Sequence, residues 1–217
     1  QYLVGDVGDG SWLAEALDPE LAYRMLGGSG LGTALLWRHT RARFDPLGPE
    51  AAVVFAFSPI VGTAVTTSAK LAIVSKSPLT LRLNDALTSS QFAIAGKRTG
   101  FDAIVLRGRA RQPSVALIDE GGLRLWPCPQ LWAAGHTISE TAAALRALHP
   151  DFSFAIIGRA GERAVRFASL CNDNRHAGRG GLGAVLGAMN IKAVGVRGSR
   201  DITVADEAAL LAISSDL

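Results

Sequence analysis

Apolar residues in this chain fall in short blocks bounded by glycine, proline and polar runs. Ala52 to Phe57 is a continuous apolar run, the mark of a strand buried on both faces. The same reading predicts strands at Thr66 to Ser75, Ala103 to Arg107, Ser114 to Asp119, Leu123 to Trp126, Phe152 to Ile157, Ala164 to Leu170 and Ala193 to Arg197. The segment up to about Leu17, with Gly5, Gly8 and Gly10 between apolar positions, reads as a hairpin. Asp18-Pro19-Glu20 is a helix start, with aspartate as cap and proline in the first turn, and predicts a helix to about Leu26. Further helices are expected from Gly30 to Thr40, Leu87 to Ala95, Thr137 to Leu148, Leu182 to Met189, and from Ala205 onward. Thr137 and Glu140 have the spacing of a capping box. Helices interrupt the strands without regular βαβ alternation, so the expected class is α+β with mixed or antiparallel sheets. A faint echo runs between VFAFSPIVGTAV (54–65) and FAIIGRAGERAV (154–165), with LAIVS and RFASL following as strands.

Composition narrows the field. The 217 residues are 48% hydrophobic and 19% charged, which suits a packed globular chain. No apolar run has the length a membrane-spanning helix needs. The net charge of +3 is carried largely by arginine and suits an anionic small ligand. There is no Lys/Arg block and no zinc-finger or aromatic RNA-binding motif, so no nucleic-acid partner is expected. The two cysteines, Cys128 and Cys171, form no CxxC pair, which leaves no zinc or iron–sulfur site within this chain and points to a reduced, cytoplasmic protein. The four histidines show no metal spacing, and no GxSxG elbow or Walker loop occurs. GGSGLG (27–32) follows a helix rather than a strand, which rejects a dinucleotide fingerprint.

The segment from Cys171 to Lys192 holds the chemistry. Gly178, Gly180, Gly181 and Gly183 lie among Arg175, His176 and Arg179, and a small-residue helix follows. Glycine lets main-chain N–H groups approach a ligand, and guanidinium groups beside them suit phosphate. Gly183 and Gly187 make a flat helix face, open at Gly183 to either ligand approach or packing and expected to pack at Gly187.

These residues, with others in order along the chain, resemble the N-terminal domain of the aldehyde ferredoxin oxidoreductases. The matching pieces are DPELAYRMLGGSGLG (18–32), FDPLGPE (44–50), SPIVGT (58–63), VSKSPLT (74–80), GFDAIVLRG (100–108), IGRAGERAVRFA (157–168) and NDNRHAGRGGLGAVLGAMNIKAV (172–194). The resemblance implies a pterin-cofactor base domain over residues 1–200, built of two sheets related by an approximate twofold, with 201–217 opening a helical segment. It implies a tungstopterin or molybdopterin cofactor of two pterins with magnesium between their phosphates. Further helical domains, in cis or on a partner subunit, would carry a 4Fe–4S cluster, and ferredoxin would accept electrons from aldehyde oxidation. Carried over by position, the cofactor contacts are Lys70, the Leu87-Thr88-Ser89 stretch, and Arg175, His176, Ala177, Gly178, Arg179, Gly180, Gly181 and Gly183.

The departures are specific. Lys70 stands where the family has arginine, so the charge remains without the planar fork. Leu87 replaces an asparagine, and Ser29 replaces an arginine. Alone, the chain is expected not to turn over aldehydes. Two other readings stay open: a non-catalytic assembly module that keeps the fold, and a binder of another phosphorylated ligand at residues 175–183. An oligomer is compatible with each.

Overall fold

The computed structural model describes residues 1–132 and 134–215. Two six-stranded sheets form its body. In the first, β1 (Tyr2–Asp6) pairs antiparallel with β2 (Trp12–Glu15) and parallel with β6 (Ala103–Arg107). β3 (Ala52–Phe57) joins β6 to β4 (Lys70–Lys76), and β5 (Leu83–Ser89) forms the edge. The second sheet repeats the first strand for strand. β7 (Ser114–Asp119) pairs antiparallel with β8 (Gly122–Pro127) and parallel with β12 (Ile191–Val196). β9 (Ser153–Ile157), β10 (Leu170–Asn172) and β11 (Arg175–Ala177) follow in the places of β3, β4 and β5. The expected α+β class with two mixed sheets is what the chain adopts. The echo between 54–65 and 154–165 is one of position too, since both copies begin in the equivalent strands β3 and β9.

Each sheet has an outer helix. α1 (Pro19–Met25) starts where Asp18 Oδ1 accepts from the Glu20 N–H at 2.9 Å. α2 (Gly28–His39) then lays Leu31, Leu35 and Leu36 on Val54, Ala56, Ala72 and Val74 of the first sheet. α4 (Ile138–Leu148), opened by the predicted Thr137–Glu140 capping box, packs Leu145 on Val115, Phe154 and Ile156 of the second. The main core lies between the sheets. It also takes in α3 (Gln91–Arg98) and α6 (Leu182–Ala188). The exchange is reciprocal: α3 reaches β9 and β12 of the other half, and α6 reaches β3 and β4.

Such close layers need small residues. A Cβ on Gly96 would enter the Phe57 ring, and one on Gly187 would overlap the Gly161 carbonyl. Gly161 lies in α5 (Arg159–Glu162), a one-turn helix that packs on α6. Its Glu162 accepts from Lys192 Nζ on β12, and the two side chains are only 7% and 1% exposed. A pair this deep costs desolvation that its attraction only offsets, so it fixes the seat of α5 more than it adds net stability. α7 (Glu207–Ser215) has no buried residue.

Three expected elements need correction. Leu87 to Ala95 is not one helix: β5 ends at Ser89, and α3 starts at Gln91 after an extended Ser90 at φ −172. Ala86 and Thr88 are buried while Asp85 and Leu87 are exposed, a period of two that marks a half-buried edge strand. Ala164 to Leu170 is not a strand: it is turns and irregular chain up to 169, and pairing begins at Leu170. Thr66 to Lys70 is likewise irregular up to 69, so β4 starts later than its β-rich sequence predicts. Local β propensity in both stretches is overridden by the shape of the turn that links neighbouring strands.

Gly187→Ala should destabilise the protein by about 1–3 kcal/mol, because the methyl group meets backbone rather than a movable side chain. Urea unfolding followed by circular dichroism should show a lower midpoint with an unchanged slope.

Candidate functional site

The edges β5 and β11 come within 8 Å of each other, so the two halves of the molecule meet where the sequence-predicted residues lie. β10 and β11 form a two-residue hairpin through Asp173 and Asn174, both at positive φ (46 and 60). That is the backbone of a primed turn, and Asp/Asn suits it. The Asp-Asn pair between LCN and RHA was the signal for this hairpin.

Equivalent positions follow from register. In the first half Leu71 pairs with Thr88, and Ala72 with Leu87. In the second, Leu170 pairs with Ala177, and Cys171 with His176. Leu71 and Leu170 both point into the central core, opposite Phe57 and Ile157. Thr88 therefore corresponds to Ala177, Leu87 to His176, and Ser89 to Gly178. Thr88 and Ala177 are buried, whereas Leu87, His176 and Gly178 are exposed and Ser89 is half-buried. Lys70, exposed, pairs with Ser89.

A buried polar junction holds the two edges together. Thr88 Oγ1 donates to Asn172 Oδ1 at 3.0 Å, and Asn172 Nδ2 donates to Ser90 Oγ. Asp173 extends it, accepting from the Phe92 N–H at 3.2 Å and facing Arg146 at 3.5 Å. The Thr88 hydroxyl is thus committed to the fold.

The glycine loop divides into an open and a packed part. Gly178 has nothing within 4 Å of its Cβ position. Arg179, Gly180 and Gly181 follow with three successive positive φ angles of 57, 65 and 85. Among the described residues, no acceptor takes the N–H of Gly178, Arg179 or Gly180. Gly181 and Gly183 behave otherwise: a Cβ on the first would overlap the Arg166 carbonyl, and one on the second the Ser169 carbonyl. The Gly183 N–H donates to Ala168 O at 2.9 Å. Packing therefore explains Gly183 and also Gly187, and the helix start is closed by its own fold.

Asn84 and Phe167 were not singled out from sequence. A cavity of about 620 Å³ lies between the β4–β5 connection and the glycine loop, lined by Asn84, Leu79, Phe167, Arg179 and Gly180 among others. Asn84 abuts Gly180, and its Nδ2 is buried with no acceptor among the described residues. A buried donor left unmatched costs about 1–3 kcal/mol unless a ligand or water meets it. No sequence pattern marks such a residue.

The cysteines contribute no ligand chemistry as they stand. Burial pushes the Cys128 thiol up to about 12, and burial likewise raises Cys171. Among the described residues no group of three or more His, Cys, Asp or Glu side chains could hold a metal ion. None of their helices is long and apolar enough to cross a membrane. What the site offers is a shelf of main-chain donors and cations along two equivalent edges.

Comparison with known proteins gives a consistent picture. The family described as aldehyde ferredoxin oxidoreductase, N-terminal domain, matches residues 2–198. The tungsten-containing aldehyde ferredoxin oxidoreductase of Pyrococcus furiosus is 36% identical over 210 residues, which is 95% of this chain and 34% of that protein. The enzyme of that name from Thermococcus kodakarensis is 35% identical, over 95% of this chain and 34% of its own length. A Pyrococcus furiosus aliphatic sulfonate oxidoreductase, WOR-like subunit, is 31% identical over 84% of this chain and 32% of its own length. Among solved structures, the active-site complex BamBC of benzoyl coenzyme A reductase, with 1,5-dienoyl-CoA, superposes with a TM-score of 0.93 at 29% identity, over 99% of this chain and 33% of that one. The chain spans about a third of the length of the curated relatives it matches.

Thr88→Val should cost about 1–3 kcal/mol, since it leaves the buried Asn172 oxygen without its donor. Thermal melting should reveal the loss. A Thr88→Val protein as stable as the parent would mean that the Thr88–Asn172 hydrogen bond adds nothing to the joining of the halves.

Proposed function

The chain belongs to the aldehyde ferredoxin oxidoreductase family as its N-terminal domain, and we propose that it is the base on which a tungsten–pterin cofactor sits. One observation carries this reading: structurally equivalent positions, exposed Leu87 with half-buried Ser89 and exposed His176 with exposed Gly178, lie on adjoining sheet edges. A cofactor of two pterins on one metal has two equivalent halves, and a duplicated base offers one edge to each. The residues fit such a group. The free amides of Gly178, Arg179 and Gly180 and the unmatched Asn84 Nδ2 are donors for phosphate or pterin oxygens. Arg175, Arg179 and Lys70 add positive charge without a carboxylate partner among the described residues.

Each residue has a distinct part in this reading. Gly178 gives close approach where a side chain would intrude. Arg175 and Arg179 hold anionic oxygens, His176 offers a ring nitrogen, and Lys70 acts as a point charge. Main-chain carbonyls near Leu87 suit magnesium whatever the side chain there. Ala177 and Thr88 serve by burial, holding the two edges in register. Tungsten, when bound, supplies the two-electron chemistry that takes an aldehyde to a carboxylic acid. This chain binds and orients; the covering domains, the 4Fe–4S cluster and the ferredoxin contact belong to the remaining two thirds of the relatives' length, in cis or on a partner subunit. A reduced cytoplasmic setting belongs to the same reading, both cysteines being free and buried.

The test is elemental. The protein, purified anaerobically with the polypeptide that completes it from cells supplied with tungstate, should carry tungsten and twice as much pterin. A complex free of metal and pterin would favour the assembly-module reading. Replacing Arg175 and Arg179 together with alanine should lower retained tungsten by about tenfold without moving the melting temperature, as loss of two charge-assisted contacts at an exposed site requires.

A further inference from the structure

A second cavity lies on the other side of the β4–β5 connection. A cavity of about 580 Å³ opens between the C-terminal half of α2, the 41–44 segment and the start of β5. Its floor is Leu36 and Phe44, both buried. Its walls are Trp37, 81% exposed, and Leu81, 59% exposed. Large apolar side chains held this far into water mark a binding surface more often than a solvated face. The volume is that of a small-molecule pocket.

Its charge is one-sided. Four cations, Arg41, Arg43, Lys76 and Arg82, line the cavity, and no carboxylate does. Arg41 alone has an acidic neighbour, Glu50 at 3.6 Å, with both side chains largely exposed. Among the described residues neither the Arg43 nor the Arg82 guanidinium meets a carboxylate. Lys76 is the telling group. It is partly buried, its Nζ donates to the Phe44 carbonyl at 2.5 Å and lies 5.1 Å from the centre of the Phe44 ring. Among the described residues this half-buried ammonium has a carbonyl and a ring but no carboxylate beside it, so an anion in the cavity would meet an unpaired charge. The β4–β5 connection that carries Leu81 and Arg82 is firm: Ser77 Oγ accepts from the N–H of Leu79 and of Thr80, each at 3.1 Å, and Leu81 N–H donates to Ser77 O at 2.9 Å. The pocket is therefore pre-formed on that side.

We propose that this cavity binds an amphipathic organic anion: an aliphatic or aromatic body against Leu36, Phe44 and Trp37, with a carboxylate or phosphate head among Lys76, Arg43 and Arg82. The site opens beside the cofactor shelf rather than on it, since Leu83 lines both this cavity and the one next to Asn84. Leu83, at its lip, stands six residues before Ser89 on β5, roughly 20 Å along an extended strand.

Trp37 reports on its own pocket. Decanoate and decyl phosphate should each change the tryptophan fluorescence of the purified protein saturably, and Trp37→Phe should abolish the change. The uncharged decanol should bind at least about tenfold more weakly than the better anion. Which of the two anions binds tighter identifies the head group. The double substitution Arg43→Gln, Arg82→Gln alters two exposed side chains, so circular dichroism should show the fold intact, while anion affinity should fall at least about tenfold. No saturable response to either anion, equal affinity for decanol, a response that survives in Trp37→Phe, or full affinity in the double variant would each overturn the proposal. None of these results depends on tungsten, so the cofactor reading stands or falls separately.

Discussion

The rest of the structure depends on how closely two duplicated sheets approach each other with two helices between them. Within each half, glycine decides how closely the helix seats. Gly96 lies flat on Phe57, and Gly183 and Gly187 lie on backbone at Ser169 and Gly161. Because α3 and α6 each cross to the opposite sheet, neither half can complete its core alone. The main apolar cluster accordingly draws on both halves. Removing water from so large an apolar face drives the association, and the absence of side chains at those positions lets each helix lie close on its own half.

That closeness has a polar consequence. Where β5 meets the second sheet, backbone and side-chain polar groups leave water and must find partners. Thr88, Asn172 and Ser90 satisfy one another across the junction, and Asp173 ties its turn to the start of α3. A fully matched network of this kind specifies one register between the edges. The register in turn sets Leu87 and His176 at equivalent places on adjoining edges. Geometry suited to a two-part ligand is thus a product of core packing and its polar seam, with no residue needing to be there for the ligand alone.

The sequence carried much of this and hid the rest for identifiable reasons. Continuous apolar runs such as Ala52 to Phe57, and capped helices such as Ile138–Leu148, declare themselves because burial and cap chemistry are local. The repeat was visible as a shared motif, since β3 and β9 face the same environment. The edges were not. β5 alternates Asn84, Ala86 and Thr88 against Asp85 and Leu87, too few apolar groups for a strand signal, and its partner network lies more than eighty residues away. In the glycine loop, sequence treated Gly178, Gly180 and Gly181 alike as open to a ligand and left Gly183 between ligand approach and packing. Gly178 is open, whereas Gly181 and Gly183 are consumed by packing. Asn84, with its unmatched nitrogen, became a candidate only once folding had brought it to Gly180.

The two halves differ most at the sheet edges, where the candidate site lies. β4 and β5 are seven residues each and are joined by a firm connection that projects Leu79, Leu81 and Arg82. Their counterparts β10 and β11 are three residues each, closed by a tight turn, and the chain then spends its length on the glycine loop. A duplicated core must keep its volume on both sides, so substitution there is constrained by packing. The edges bear no such constraint. One copy has an apolar, cation-rimmed connection and the other an open run of main-chain donors, and Leu87 faces water where its counterpart is an imidazole. Any ligand with two like halves resting on this base therefore meets two unlike environments, and the twofold that suits its shape does not extend to its electrostatics.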